Sequence, residues 1–521
     1  MAKNIIVCSD GTGNTAIKGR GTNVFKTFEA VDLNAHRCDP ERIAQIAIYD
    51  DGVGTESFKP LKLLGGISGF GLSRNVRQLY KELCRVYDPE DRIFLFGFSR
   101  GAFTVRTLAG LIGSCGILKI GEVEDSQRLE RLVVDAYKIY RHRYRTPLMK
   151  WFLGEADGEL ESFKKKHSHG DEKIAVIGVW DTVDAVGLPL PIAGFVNRHI
   201  YQFKFPNLTL GECIEKAYHA LAVDDERESF QPLLWDERTK TSEQTIEQVW
   251  FAGAHSNVGG GYPKQGMSLV ALDWIMKQAE EAGLRLIDAQ RKDYRDRASV
   301  DDKLYDPRSG FGSFYRWLPR NIQRLCAASN CETKVHVSVL ERAAHGTEDY
   351  APGNLPSGAE VVYTATDDAK KNEAAQERAS KVQEVLGDSG LEGHSLLERV
   401  KPEIRIGRDS YLVFVTGCIM TLAAAILVAE RLVTQPWQPV LPLLAFAIAG
   451  AMAAWSRVNR RKVFSAFWFH LQKELRDALK STRKLERGSK PQPEPGVPGS
   501  DSGVRPLPDA PNAELSPRKA V

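Results

Sequence analysis

No two of the eight cysteines stand in a C-x-x-C pair. Cys8, Cys38, Cys84, Cys115, Cys213, Cys326, Cys331 and Cys418 are scattered along 521 residues, with no histidine set near enough to complete a zinc site. That spacing argues against a disulfide framework or a structural metal and reads as isolated thiols in a reducing compartment. Charge of one sign is also scarce. Lys and Arg number 70 against 67 Asp and Glu, a formal net charge of +3, and both signs are mixed along most of the chain. So balanced a chain offers no general basic surface to nucleic acid. The N-terminus lacks the basic and apolar regions of a secretory leader. Asn4-Ile5-Ile6-Val7-Cys8 runs straight into what reads as a first strand, so no leader is expected. There is no internal repeat.

What the chain does contain is organised around Asp91 to Arg106, DRIFLFGFSRGAFTVR. Ile93-Phe94-Leu95-Phe96 is an apolar run suited to a fully buried parallel strand. Ala102, Phe103, Val105, Leu108 and Ala109 continue at helical spacing. Between them lies Gly97-Phe98-Ser99-Arg100-Gly101, a G-x-S-x-G nucleophile elbow, in which a serine on a strained strand-to-helix turn exposes its hydroxyl above the sheet. A Cβ at Gly97 or Gly101 would collide with a neighbouring element.

The length predicts two to four units. From Ile5 to about Val339, apolar runs of four to six residues alternate with longer amphipathic segments, the pattern of an α/β domain with a mostly parallel sheet flanked by helices. The predicted strands are Ile5–Cys8, Gln45–Tyr49, Ile93–Phe96, Ile174–Val179, Gln248–Ala252 and Lys334–Leu340; Asn75–Val86 is a predicted helix. The first five strands end in Gly- or Asp-rich loops. In open α/β sheets ligands bind beyond the carboxyl ends of the strands, so these loops converge where an active site belongs. Two insertions, about Glu122–Glu172 and Gly187–Thr209, are candidates for a lid over an apolar substrate or for a packed satellite layer.

The catalytic unit is expected over residues 1–365, followed by a polar connector at 366–408, whose charged, Ala-rich part from Thr366 to about Gly390 is expected to be helical or partly ordered. Two apolar runs follow, Tyr411–Ala429 and Pro439–Trp455. The first carries no charge over 19 positions and the second is near the lower length limit for crossing a bilayer. Arg405, Arg408, Arg457, Arg460, Arg461 and Lys462 flank them, which places both flanks in the cytoplasm and the turn outside. Trp437 and Trp455 would sit at opposite interfaces. The expectation is a transmembrane helical hairpin over 409–456; a buried hairpin in a soluble protein is the alternative. Residues 457–487 carry Phe464, Phe467, Trp468, Leu471, Leu475 and Leu479 at helical spacing, suiting an amphipathic helix at the inner surface or an oligomerisation helix. The tail, 488–521, has few large apolar residues and is expected to be disordered.

A serine nucleophile needs a base and a residue to orient it, in the order Ser, Asp or Glu, His. Asp181 follows Ile174–Val179, and His255 follows the next predicted strand in a glycine-rich loop, so Ser99, Asp181 and His255 form the candidate triad. Asp184 is the rival acid. His336 reads as a strand-interior structural residue, and His219 as packed or solvated in an Ala-rich helical segment. The oxyanion needs backbone donors: the N–H of Arg100, and that of Gly11 or Thr12. Asp10 in that loop would repel an oxyanion and is expected instead to hold the loop by hydrogen bonds. No metal or other cofactor is required for this chemistry.

Cys8 to Asn14, the elbow with Ala102-Phe103, Gly178–Val183, His219–Asp224 with Phe230-Gln231-Pro232, His255–Tyr262 and His336–Val339 together resemble the α/β-hydrolase domain family that includes type VI secretion phospholipase effectors. The resemblance covers roughly residues 3–360. It implies an α/β-hydrolase-like fold, the triad named above, and a glycerophospholipid or other ester as substrate. The C-terminal third departs from a secreted effector. The expectation is therefore a serine esterase or phospholipase anchored in a bacterial inner membrane, with its catalytic domain and C-terminus cytoplasmic. Two other readings compete: a non-catalytic membrane adaptor, and a kinase-like protein using Asp10-Gly11-Thr12-Gly13-Asn14-Thr15 as a phosphate loop.

Overall fold

The computed structural model describes residues 2–11, 21–52, 69–120, 126–142, 157–170, 172–183, 208–309, 315–431 and 440–487. Among the described residues, eight strands form one sheet: β1 (Lys3–Ser9), β2 (Ala44–Asp50), β3 (Arg92–Phe98), β4 (Ile174–Trp180), β5 (Ile214–Ala222), β6 (Thr245–Phe251), β7 (Lys334–His336) and β8 (Glu360–Val362). Their order is β2-β1-β3-β4-β5-β6-β7-β8, and every neighbouring pair is parallel. The chain moves outward from β1 to β2, then returns to lay β3 on the other side of β1. Strand order therefore reverses between β1 and β3, which opens a crevice at their carboxyl ends.

The helices relevant to the site are α1 (Asn23–Ala30), α2 (Gly69–Val86), α3 (Arg100–Cys115), α4 (Ser126–His142), α5 (Asp157–His167), α6 (Gly266–Glu281), α7 (Ile322–Ala328), α8 (Val337–His345), α9 (Ala369–Gly387), α10 (Lys401–Arg431) and α11 (Val440–Arg487). Along β3 the side chains alternate between two cores. Ile93 and Leu95 pack with α2, α3 and α4, whereas Phe94, Phe96 and Phe98 pack with α1 and α6. Burial on both faces is why the predicted strands read as unbroken apolar runs.

The structure corrects two segment assignments. The Ala-rich stretch around His219 is β5, not a helix; it pairs with both β4 and β6. The Lys334–Leu340 strand stops after His336, whose side chain accepts from the Ser338 N–H and caps α8. The segment expected to be a helical or partly ordered connector is helical in α9, capped by Asp368. Its Ala379, Val382 and Leu386 join the same core as α8 and β7.

Helices α10 and α11 lie side by side, with Phe414 and Phe446 rings 5.7 Å apart and Ser456 Oγ donating to the Glu403 carbonyl. Among the described residues, one helix, over Leu441–Lys480, is long and apolar enough to cross a membrane by length and composition. Its first turns expose Leu441, Leu443, Leu444 and Ile448, and α10 exposes Leu412 and Ile419. The segment beyond Arg457 continues α11 without a break. Its apolar face, with Phe464, Trp468, Leu471, Leu475 and Leu479, is buried against the α8 and α9 core. Trp468 Nε1 also donates to the Pro352 carbonyl at 2.9 Å. That face is covered within the chain, so neither a membrane surface nor a second copy is needed to cover it.

Thr12, Trp151-Phe152-Leu153, Asp184, most of the second insertion, Trp437 and the tail from 488 lie outside the described residues.

Candidate active site

Between β3 and α3 stands one residue. Ser99 turns the chain alone, with φ 58° and ψ −121°, a combination outside the allowed regions for a side-chain-bearing residue. The neighbours hold this strain. Ser99 N donates to the Trp180 carbonyl at 3.1 Å, and the Ser99 carbonyl accepts from Phe103 N. A Cβ on Gly97 would stand 2.7 Å from Ala102 Cα, and one on Gly101 2.0 Å from the Ser9 carbonyl oxygen. The elbow thus rests directly on the end of β1.

Register brings the remaining groups together. Phe98 pairs with Trp180, and Trp180 with Ala220, so Ser99 and Asp181 leave adjacent strands at the same level. Asp181 also has positive φ, at 40°. His255 opens the short helix His255–Gly259 just after β6, and its Nδ1 lies 2.6 Å from Asp181 Oδ2. The imidazole is packed between aromatic rings, Phe98 at 4.6 Å and Phe230 at 5.0 Å between centroids. No hydrogen bond joins Ser99 Oγ to His255 among the described residues. Contacts between nucleophile and base often close only with substrate bound.

Arg320 was not singled out from the sequence. It is fully buried, and its Nη1 and Nη2 reach Asp181 Oδ1 and Oδ2 at 2.6 and 2.8 Å. Asp181 Oδ1 also accepts from Ala222 N at 3.0 Å. Burial alone would raise the Asp181 carboxyl, but the Arg320 guanidinium holds it well below the usual carboxylate range. Burial pushes the His255 imidazole down, and the bond to Asp181 opposes that shift.

The rival histidines have structural partners. His219, on β5, accepts from Thr182 N through Nε2 at 3.1 Å, and burial lowers it to about 3. His336 meets Ser338 and Thr364, and burial lowers it to about 4.

On the oxyanion side, Arg100 starts α3, so its N–H is one of the helix-start donors without an intrahelical acceptor. The Gly11 N–H donates to Asp10 Oδ1 at 2.6 Å. Asp10 Oδ2 accepts from Thr22 Oγ1 and Tyr49 Oη at 2.6 and 2.8 Å. The buried Asp10 carboxylate thus ties its loop to α1 and β2.

The site lies beside the base of the paired helices. Residues 226–228 run antiparallel to 316–318, through Glu228 N to the Arg316 carbonyl and Leu318 N to the Glu226 carbonyl. Glu226 pairs with Arg460 of α11 at 3.3 Å. The Arg460 guanidinium covers the Trp317 ring at 4.0 Å, and a Cβ on Gly407 of α10 would touch that ring at 2.9 Å.

A parallel sheet flanked by helices, with a strained serine and a hydrogen-bonded Asp–His pair gathered at the carboxyl ends of β3, β4 and β6, defines an α/β protein with a candidate site at that end of the sheet. Residues 3–278 match the family described as the type VI secretion phospholipase effector Tle1-like catalytic domain, and the chain belongs to that family. It is also 29% identical over 252 residues to the uncharacterized protein YEL023C of Saccharomyces cerevisiae, a match covering 44% of this chain and 32% of that protein. The match thus spans about a third of the yeast relative's length. A crystal structure of an uncharacterized protein from Pseudomonas aeruginosa aligns over 74% of this chain and 59% of that one, at 17% identity and a TM-score of 0.32.

Proposed function

We propose that the protein is a serine hydrolase of lipid esters, phospholipase-like, working through an acyl-Ser99 intermediate. The observation that carries this reading is the 2.6 Å bond between His255 Nδ1 and Asp181 Oδ2, beside a serine held at φ 58°. His255 Nε2 takes the Ser99 proton as Oγ attacks the ester carbonyl, then returns it to the leaving alcohol. Water repeats the cycle in the second half. Asp181 fixes the tautomer and steadies the imidazolium. Arg100 N–H and the loop containing Thr12 supply the donors that meet the oxyanion. Gly11 is left out, because its N–H is already bonded. Membership of a phospholipase effector family supports the lipid ester as substrate.

The paired helices α10 and α11 are read as a membrane-spanning hairpin, with the sheet on the cytoplasmic side beside the arginine-rich helix ends. The exposed apolar side chains of both helices support this, as does the contact of Trp317 with α10 and α11. A site mounted at the base of the hairpin meets lipid from the adjacent leaflet. The reading is tested by turnover of short-chain p-nitrophenyl esters and of phospholipid vesicles. Ser99→Ala and His255→Ala should abolish turnover while the proteins remain folded, and unimpaired hydrolysis by either would refute the mechanism. Membrane fractionation that survives deletion of 409–456 would refute the anchor.

A further inference from the structure

Asp181 accepts four hydrogen bonds, which occupies the lone-pair sites of a carboxylate. Two come from Arg320, at 2.6 and 2.8 Å, one from Ala222 N and one from His255 Nδ1. The same guanidinium donates to the carbonyls of Ala222 and Phe230, each at 2.5 Å. Arg320 therefore joins the end of β5, the residue whose ring packs on His255, and the acid that orients His255. An arginine fork bonded at both oxygens leaves the carboxylate one orientation.

The charges around His255 come in matched pairs. Asp181 is neutralised by Arg320. Asp225, whose carboxylate accepts from His255 N at 3.2 Å, is neutralised by Arg227 at 2.7 and 3.1 Å. Asp224 faces the other way, accepting from Gly253 N and Tyr350 Oη. His219 contributes an imidazole bonded to Thr182 N. An unpaired carboxylate at 2.6 Å would draw a proton onto the ring; a carboxylate already paired with a buried guanidinium draws it far less.

We infer that Arg320 is a positioning residue for the reaction proposed above. It fixes the Asp181 carboxylate toward His255 Nδ1 and cancels its charge, so that the imidazole stays an unprotonated base on the acidic side of neutrality. The inference rests on the Ser99–His255–Asp181 reading for its kinetic consequence. Its electrostatic consequence stands on the Asp181–Arg320–His255 geometry alone.

The test compares wild type, Arg320→Met and Arg320→Lys, using the full chain in detergent. The acid limb of kcat/KM for a p-nitrophenyl ester should move up by about one pH unit in Arg320→Met, because His255 then faces an uncompensated carboxylate. In Arg320→Lys, which keeps the charge but loses the fork, the limb should stay close to wild type while kcat falls about tenfold. Histidine 13Cε1 NMR should show the same displacement of the His255 titration, assigned with His255→Gln. That readout needs no turnover, so a chain without Ser99-dependent activity would overturn the hydrolase reading and leave the clamp still measurable. A folded Arg320→Met whose acid limb and His255 titration match wild type would reduce Arg320 to a structural residue and overturn the inference. If Arg320→Met does not fold, Arg320→Lys decides: wild-type kcat, or a displaced His255 titration, would overturn it.

Discussion

Gly101→Ala is the substitution whose effect is most closely set by the structure. The new Cβ would stand 2.0 Å from the Ser9 carbonyl oxygen and 2.5 Å from that of Asp10. Both are backbone atoms at the end of β1, and no rotamer relieves the contact. The first turn of α3 must withdraw by about 1 Å to restore van der Waals separation. Overpacking of this kind costs about 1–3 kcal/mol, against which alanine returns roughly 0.5–1 kcal/mol of helix preference. The net loss is about 1–2 kcal/mol. Function should suffer more, because a 1 Å displacement of a reacting atom costs on the order of 100-fold in rate. Urea unfolding measures the first effect, and the rate of fluorophosphonate labelling measures the second. Gly158→Ala on α5 is the control: nothing lies within 4 Å of its added Cβ, so it should gain up to about 1 kcal/mol and label normally. Wild-type stability and labelling rate in Gly101→Ala would refute the claim that the elbow is pressed against β1.

Asp181→Asn removes the orienting charge and leaves Arg320 buried without its partner. Turnover should fall about 10³–10⁴-fold, and stability by about 3–5 kcal/mol in urea unfolding; a loss of activity alone would argue against the buried pair. Trp468→Ala should destabilise the full chain by about 3–5 kcal/mol, measured by thermal unfolding in detergent. A negligible change would show that the α11 face is not packed on α8 and α9. His219 is lowered to about 3 in the folded chain by burial, so between that value and about 6.5 the unfolded chain binds the extra proton. Folding stability must then rise with pH across this window and be lost on acidification. Asp224, raised to about 6 by burial, acts oppositely below that pH, so the comparison must be with His219→Gln. The variant should flatten the pH dependence of unfolding by up to about 1.4 kcal/mol per unit; an unchanged slope would contradict a neutral buried His219.

The elbow was legible because its chemistry is local. Glycines two residues either side of Ser99, an apolar strand before and a helix after leave few alternatives. The β1, β4 and β6 strands were legible as apolar runs for the same reason, since both of their faces are covered, whereas β2 lies at the sheet edge and is only half-buried. Strand β5 was not. Ile214–Ala222 reads IEKAYHALA, rich in good helix formers, and only its two strand neighbours override that propensity. Strand β7 ended early because His336 caps α8 with its side chain, a role its alternating surroundings do not announce. Arg320 left no local signal. Its partner Asp181 is 139 residues away, and nothing around Pro319-Arg320-Asn321 distinguishes a buried guanidinium from an exposed one. The hydrogen bond of Gly11 left no more signal. The Gly-rich loop advertises free N–H groups, but Asp10 beside it already engages one.

The central claim is that Ser99 is a nucleophile activated by His255. Its most direct test is to label the folded full-length protein with a fluorophosphonate and map the adduct by peptide mass spectrometry. The account predicts one phosphonylated residue, Ser99, with labelling lost in Ser99→Ala and slowed by orders of magnitude in His255→Ala. Absence of labelling in folded wild-type protein, or an adduct on another residue that persists in Ser99→Ala, would contradict it.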